Sequence, residues 1–106
     1  MARDHDAGFA IVFEYRVPPD RCAAFEREYG SDGDWARFFR RDEAYRGTEL
    51  WAFEAEAGRY LLIDRWACAA DYHAFRERHR EEYGRRGTET RVLYASERVI
   101  GEMLRR

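Results

Sequence analysis

The hydrophobic pattern starts at Gly8, behind a polar arm over residues 1–7, and the run from Gly8 to Val17 (GFAIVFEYRV) is rich in aromatic and β-branched residues. Such a run, closed by Pro18 and Pro19, predicts a first strand. From Asp20 to Tyr29 the apolar side chains Cys22, Phe25 and Tyr29 recur at i, i+3 and i+7. That spacing is one face of a helix, with Gly30 in the position that ends it. Ser31, followed three residues later by Asp34, has the form of a capping box for a second, short helix whose apolar side is Trp35, Phe38 and Phe39. Thr48 to Glu56 and Arg59 to Ala67 are two strand-like runs joined through Ala57-Gly58, which predicts an antiparallel hairpin. Beyond Cys68, a helical stripe of Tyr72, Phe75, His79 and Tyr83 is flanked by arginines and glutamates, and Gly84 and Gly87 are expected to break it. A helical turn through Leu93 and Tyr94 and a last strand from Glu97 to Leu104 complete the pattern.

This order is βαββαβ, the α+β ferredoxin-like superfold: a four-stranded antiparallel sheet with helices on one face, forming a single domain over residues 8–104. In a monomer of that design the face away from the helices is polar. Here both faces carry apolar residues. Phe9, Ile11, Phe13 and Tyr15 alternate with Ala10 and Val12, Leu61 and Ile63 with Tyr60, Leu62 and Trp66, and Trp51 and Phe53 with Leu50 and Ala52. The cheapest cover for a second apolar face is another copy, so a homodimer through the sheet faces is expected, making a dimeric α/β barrel.

Composition narrows the chemistry. Every basic residue is Arg, and Lys, Asn and Gln are absent, which excludes a Schiff-base or P-loop lysine. Ser31 and Ser96 lie outside any G-x-S-x-G setting. A formal charge of −2 gives no reason to expect nucleic acid as a partner. Gly84-Arg85-Arg86-Gly87 has the form of the G-x-x-G clamp of KH domains, but the predicted strand order is not theirs, and RYLLIDRW lacks the internal Gly of an RNP1 strand. Cys22 and Cys68 have no C-x-x-C spacing and read as buried thiols of a reducing compartment. The apolar run that ends at Glu14 is too short for a signal peptide, and no segment approaches a membrane span. A cytoplasmic protein is expected.

The histidines do not cluster. His5 lies in the arm, and His73 and His79 are roughly 120° apart around a helix, so they cannot share a metal. Asp32, Asp34 and Glu43 match three positions of an EF-hand count, but Ala36 and Arg37 stand where a ligand and a Gly are needed, so no metal is expected. His79, on the apolar stripe, is either a core histidine or a base or axial haem ligand facing a cavity. Trp51, Trp66, Tyr15 and Tyr72 are either core anchors or pocket walls.

IDRWACAADYHAF, with DGDWARFF and YRGTELW upstream, resembles the antibiotic biosynthesis monooxygenase (ABM-like) family of dimeric α+β barrels, over about Gly8 to Met103. The resemblance implies a face-to-face dimer with one cavity per subunit, and oxygenation of aromatic or polyketide-type phenolic substrates without metal, flavin or other cofactor. Carried over by position, it implies Trp66 as an indole N–H donor and stacking face and Tyr72 as a hydroxyl near the substrate oxygen, with His79 as the third catalytic candidate. Trp51, Tyr15, Arg65, Arg86 and His73 are the substrate-binding candidates, the two arginines chosen on charge. The quinone-forming members have an Asn four residues before the Trp; here that position is Leu62. Two alternatives follow, a non-catalytic ligand-binding or accessory protein of the same fold and a haem-binding or haem-degrading relative.

Overall fold

Alternation of side chains along the strands and a stripe of rings along the helices close into one aromatic core. The computed structural model describes residues 8–106; the arm over residues 1–7, with His5, lies outside them. The elements are β1 (Phe9–Arg16), a 3₁₀ turn (Pro19–Arg21), α1 (Cys22–Tyr29), α2 (Asp34–Phe39), β2 (Tyr45–Ala52), β3 (Arg59–Trp66), α3 (Ala69–Arg78), α4 (Arg80–Thr90), a second 3₁₀ turn (Arg91–Leu93) and β4 (Ser96–Leu104). The strands form one antiparallel sheet in the order β2-β3-β1-β4, the ferredoxin-like arrangement expected from the sequence.

Period-2 alternation sorts the sheet as expected. Phe9, Ile11, Phe13 and Tyr15 of β1 and Tyr60, Leu62 and Trp66 of β3 join Phe25, Tyr29, Phe38, Phe39, Tyr72 and Phe75 from the helices in a single buried cluster. Neighbouring rings meet tilted or edge to face at centroid distances such as 5.0 Å for Phe38 and Phe75 and 5.6 Å for Phe39 and Trp66. These are geometries the ring quadrupole favours. The opposite parity, with Ala10, Val12, Leu61, Ile63 and Trp51, forms the face without helices. It also carries an ion network. Glu14 on the central strand accepts from Arg59 Nε at 2.6 Å and from Arg98 Nη2 at 3.0 Å, one guanidinium on each neighbouring strand.

Local departures have local causes. The strand expected from Thr48 to Glu56 starts at Tyr45 and ends at Ala52, because a bulge between Tyr45 and Gly47 keeps the earlier residues paired with β3. The turn is accordingly longer than Ala57-Gly58. The capping box is not formed: α2 starts after Gly33 with no side-chain cap. Gly84 and Gly87 do not break the helix but sit inside α4; the chain bends at His79 instead (φ −112°, ψ 29°). Tyr83 and Arg86 fasten α4 to the aromatic core, outweighing about 1 kcal/mol of glycine penalty per position. The G-x-x-G segment is therefore helix, not a clamp loop.

Candidate functional site

Between the sheet and the helices lies a cavity of about 230 Å³. Its floor is the inward face of the sheet, with Phe13 and Tyr15 from β1, Thr48 from β2 and Leu62 and Asp64 from β3. Tyr29, Trp35 and Phe39 of α1 and α2 and Arg76, Tyr83 and Gly87 of α3 and α4 enclose it from above. Gly87 contributes no side chain, which leaves that part of the volume open. Toward β4 the wall is Tyr94, Glu97 and Val99, and the cavity reaches the surface there, since Glu97 and Val99 are exposed.

Asp64 is the charged group of the floor. Thr48 stands directly across from it in the β2–β3 register, and its hydroxyl donates to Asp64 Oδ1 over 2.6 Å. A hydroxyl has one proton to give, so with Asp64 ionised the contact between Tyr45 and Thr48 is donated by the phenol. Tyr45, Thr48 and Asp64 thus form a directed chain ending on the carboxylate. Burial lifts the Asp64 carboxyl to about 6, against the smaller downward pull of the Thr48 hydroxyl. Arg76 supplies the positive charge. Its Nη1 donates to the Tyr72 hydroxyl at 3.5 Å and its guanidinium lies 4.4 Å from the Tyr83 ring centroid, with no carboxylate in ion-pair range among the described residues. Tyr15 donates to Glu97 at the mouth; burial, and after it the charge of that carboxylate, drive its phenol far above the usual value.

Of the eight residues nominated from the sequence, the structure places Tyr15 on the cavity wall. Trp66 and Tyr72 pack next to the cavity within the core, ring against ring at 5.7 Å, and Trp66 Nε1 is a fully occluded donor without a partner among the described residues. His79 lies between Phe38 and Phe75, outside the cavity lining. His73 is on the surface beside Glu102 at 3.1 Å. Trp51 is 60% exposed on the helix-free face, where its Nε1 donates to Glu49 at 3.0 Å, and Arg65, also exposed, donates to the Arg46 carbonyl at 3.2 Å. Arg86 is held by Glu82, its Nη2 donating at 3.0 Å, with its guanidinium over Phe38. Asp64, Thr48, Arg76 and Tyr83 were the residues that sequence reasoning missed. One signal pointed to Asp64: it is the carboxylate in the inward parity Tyr60, Leu62, Asp64, Trp66 of an otherwise apolar strand face.

The comparisons with solved structures fit this architecture. SnoaB, a cofactor-independent oxygenase from Streptomyces nogalater solved as a point mutant, superposes with a TM-score of 0.70 at 17% identity, covering 94% of each chain. A Bordetella bronchiseptica protein assigned to the antibiotic biosynthesis monooxygenases superposes with a TM-score of 0.71 at 18% identity, over 94% of this chain and 98% of that one. The chain has the ABM-like fold. A third ABM-like structure, from Caulobacter crescentus, gives a TM-score of 0.70 at 12% identity over 96% and 92% of the two chains. No family model and no curated protein sequence matches the chain. Among the described residues, no helix is long and apolar enough to cross a membrane, and no group of three or more His, Cys, Asp and Glu could hold a metal ion.

Proposed function

We propose that the protein is a cofactor-independent monooxygenase that oxidises a small phenolic aromatic compound in the cavity between sheet and helices. The observation that carries the reading is the cavity itself: aromatic walls, one buried carboxylate and one guanidinium with no ion pair among the described residues, within an ABM-like fold. Oxygenation of this kind converts a ring methylene to a carbonyl: one methylene group and one molecule of dioxygen become one carbonyl group and one molecule of water. Once deprotonated, the substrate supplies the electrons to dioxygen itself, and the protein has to bind, orient and stabilise charge. Tyr15, Tyr83 and Phe39 would sandwich the ring, while Trp66 and Tyr72 hold the shape of the wall from behind.

The same reading takes the active form to be a homodimer joined through the helix-free sheet face. On that face Met103 of the edge strand β4, paired with Ala10, is exposed, and Trp51 stands proud on the other edge strand, β2. An uncovered edge and apolar face of that length favour a second copy. A second reading, a ligand-binding protein without turnover, is favoured by Leu62, which makes the wall apolar where the quinone-forming relatives have an Asn. Oxygen uptake with a panel of hydroxylated one- to three-ring aromatics separates the two. Saturable, substrate-dependent oxygen consumption is the expected result, and tight binding of the same compounds with no oxygen consumed would overturn the oxygenase.

A further inference from the structure

We infer that Asp64 is the general base of the cavity, taking the proton from an acidic benzylic C–H α to the carbonyl of a small one- or two-ring aryl ketone whose oxygen rests on Arg76. This rests on the oxygenase reading and adds to it the residue that starts the reaction and the size of substrate that fits.

Four observations converge on Asp64. It lines the cavity, yet only 5% of its surface is exposed, so any proton it accepts comes from a molecule inside. Its Oδ1 is fixed by Thr48, while Oδ2 accepts no hydrogen bond among the described residues. Nor is Oδ2 sealed off, since among the described residues the fully occluded side-chain polar atom without a partner is Trp66 Nε1. No guanidinium among the described residues pairs with Asp64 to quench its basicity, and Arg76, on the cavity wall and partly open to solvent, lies against the Tyr83 ring and the Tyr72 hydroxyl, with Glu102 acting on it through charge alone and not as an ion pair. Size points to the substrate class: about 230 Å³ gives room within the walls for a one- or two-ring ligand, and the opening beside Glu97 and Val99 is where a larger substituent would extend.

In the step, the substrate C–H bond breaks and its proton goes to Asp64 Oδ2. The electron pair stays on the substrate as an enolate whose oxygen lies against the Arg76 guanidinium, and dioxygen then accepts the electrons. Other groups facing Asp64 do not compete for the proton. Tyr45 from β2, Tyr15 from β1, Tyr72 from α3 and Tyr83 from α4 are all raised by burial and stay neutral, and Glu97 from β4 is engaged by Tyr15. A carboxyl titrating near 6 is ionised at neutral pH and still a stronger base than a surface carboxylate.

The test is anaerobic C1–H exchange of 2-tetralone in deuterium oxide, followed by proton NMR with the full chain, before and after air is admitted. Wild type should exchange C1–H saturably, with a rate that rises with pH and levels off above the Asp64 titration. Asp64→Asn should exchange at least about 100-fold more slowly while keeping its helical circular dichroism. Thr48→Val should retain exchange with its pH limb moved to higher pH, because the lost hydroxyl was holding the carboxyl down. Exchange by Asp64→Asn equal to wild type, or no saturable exchange by wild type, overturns the proposal. Wild-type exchange without oxygen uptake on admitting air sinks the oxygenase reading alone; oxygen uptake that survives in Asp64→Asn sinks the base alone.

Discussion

Thr48 and Asp64 face one another across β2 and β3 with both side chains buried, and the 2.6 Å hydrogen bond between them is the one side-chain donor the carboxylate has among the described residues. A hydrophobic sheet face that tolerates a lone carboxylate does so at a cost in free energy, because a buried anion needs more than one neutral donor to recover its hydration.

That cost has a sign and a pH window. The folded-state value of Asp64, about 6, lies above its unfolded value of 3.8, so its contribution to stability is fully present below 3.8 and is lost as pH rises through 6. At neutral pH the ionised side chain therefore penalises the fold by about 3 kcal/mol, from roughly two pKa units at 1.36 kcal/mol each. Asp64→Asn should raise the melting temperature at pH 7.5, and the gain should vanish near pH 4. Thermal melts at the two pH values check this, and a variant less stable than wild type at pH 7.5 would contradict it.

The glycines make opposite predictions from one residue type. Gly58, in the β2–β3 turn, has φ +84°, and a Cβ there would sit 2.4 Å from the Val17 carbonyl oxygen. Gly84, inside α4, would place its Cβ in open space. Gly84→Ala should stabilise by about 0.5–1 kcal/mol and Gly58→Ala should destabilise by more than about 1 kcal/mol, read from urea denaturation midpoints.

Gly84 and Gly87, inside α4, mark where sequence pattern stops being informative. Periodicity recovered the element order and the inward parity of β1 and β3, since alternation and helical stripes are properties of the chain itself. It misplaced the end of the last long helix because glycine propensity is a weak, local signal, and the contacts that outvote it, Tyr83 against Trp35 and Arg86 over Phe38, join residues far apart in the chain. The site was legible only in part for a similar reason. Trp66, Tyr72 and His79 attracted notice as bulky or basic side chains in a recognisable string, whereas Asp64 and Thr48 become a unit only through cross-strand register. Arg76, one arginine among many on a charged helix, is distinguished by lining the cavity.

Trp66→Phe separates a wall from a participant. The indole is 1% exposed, lies outside the lining of that cavity, and leaves Nε1 without an acceptor among the described residues. Phenylalanine loses packing atoms but also removes an orphaned donor worth about 1–3 kcal/mol, so net stability should change by less than about 2 kcal/mol. Turnover should fall less than tenfold with KM affected more than kcat, as for a residue that shapes the pocket. Steady-state kinetics decide, and a hundredfold loss of kcat at unchanged stability would restore the indole N–H to the chemistry.

Trp51 probes the assembly. It is 60% exposed on the helix-free face, in cross-strand register with Leu61 and near the pair of Glu49 and Ile63, so a glutamate there would enter the proposed sheet-to-sheet contact. Burying that charge without a partner costs several kcal/mol in each protomer, and two-fold symmetry applies the cost twice. The monomer is indifferent, because the side chain touches no part of the aromatic core. Trp51→Glu should therefore sediment as a single chain of 12.7 kDa at micromolar concentration with an unchanged melting profile at the lowest concentrations, while wild type sediments at twice that mass. Wild type found at one chain's mass would remove the dimer, and with it the explanation for apolar residues on both faces of the sheet.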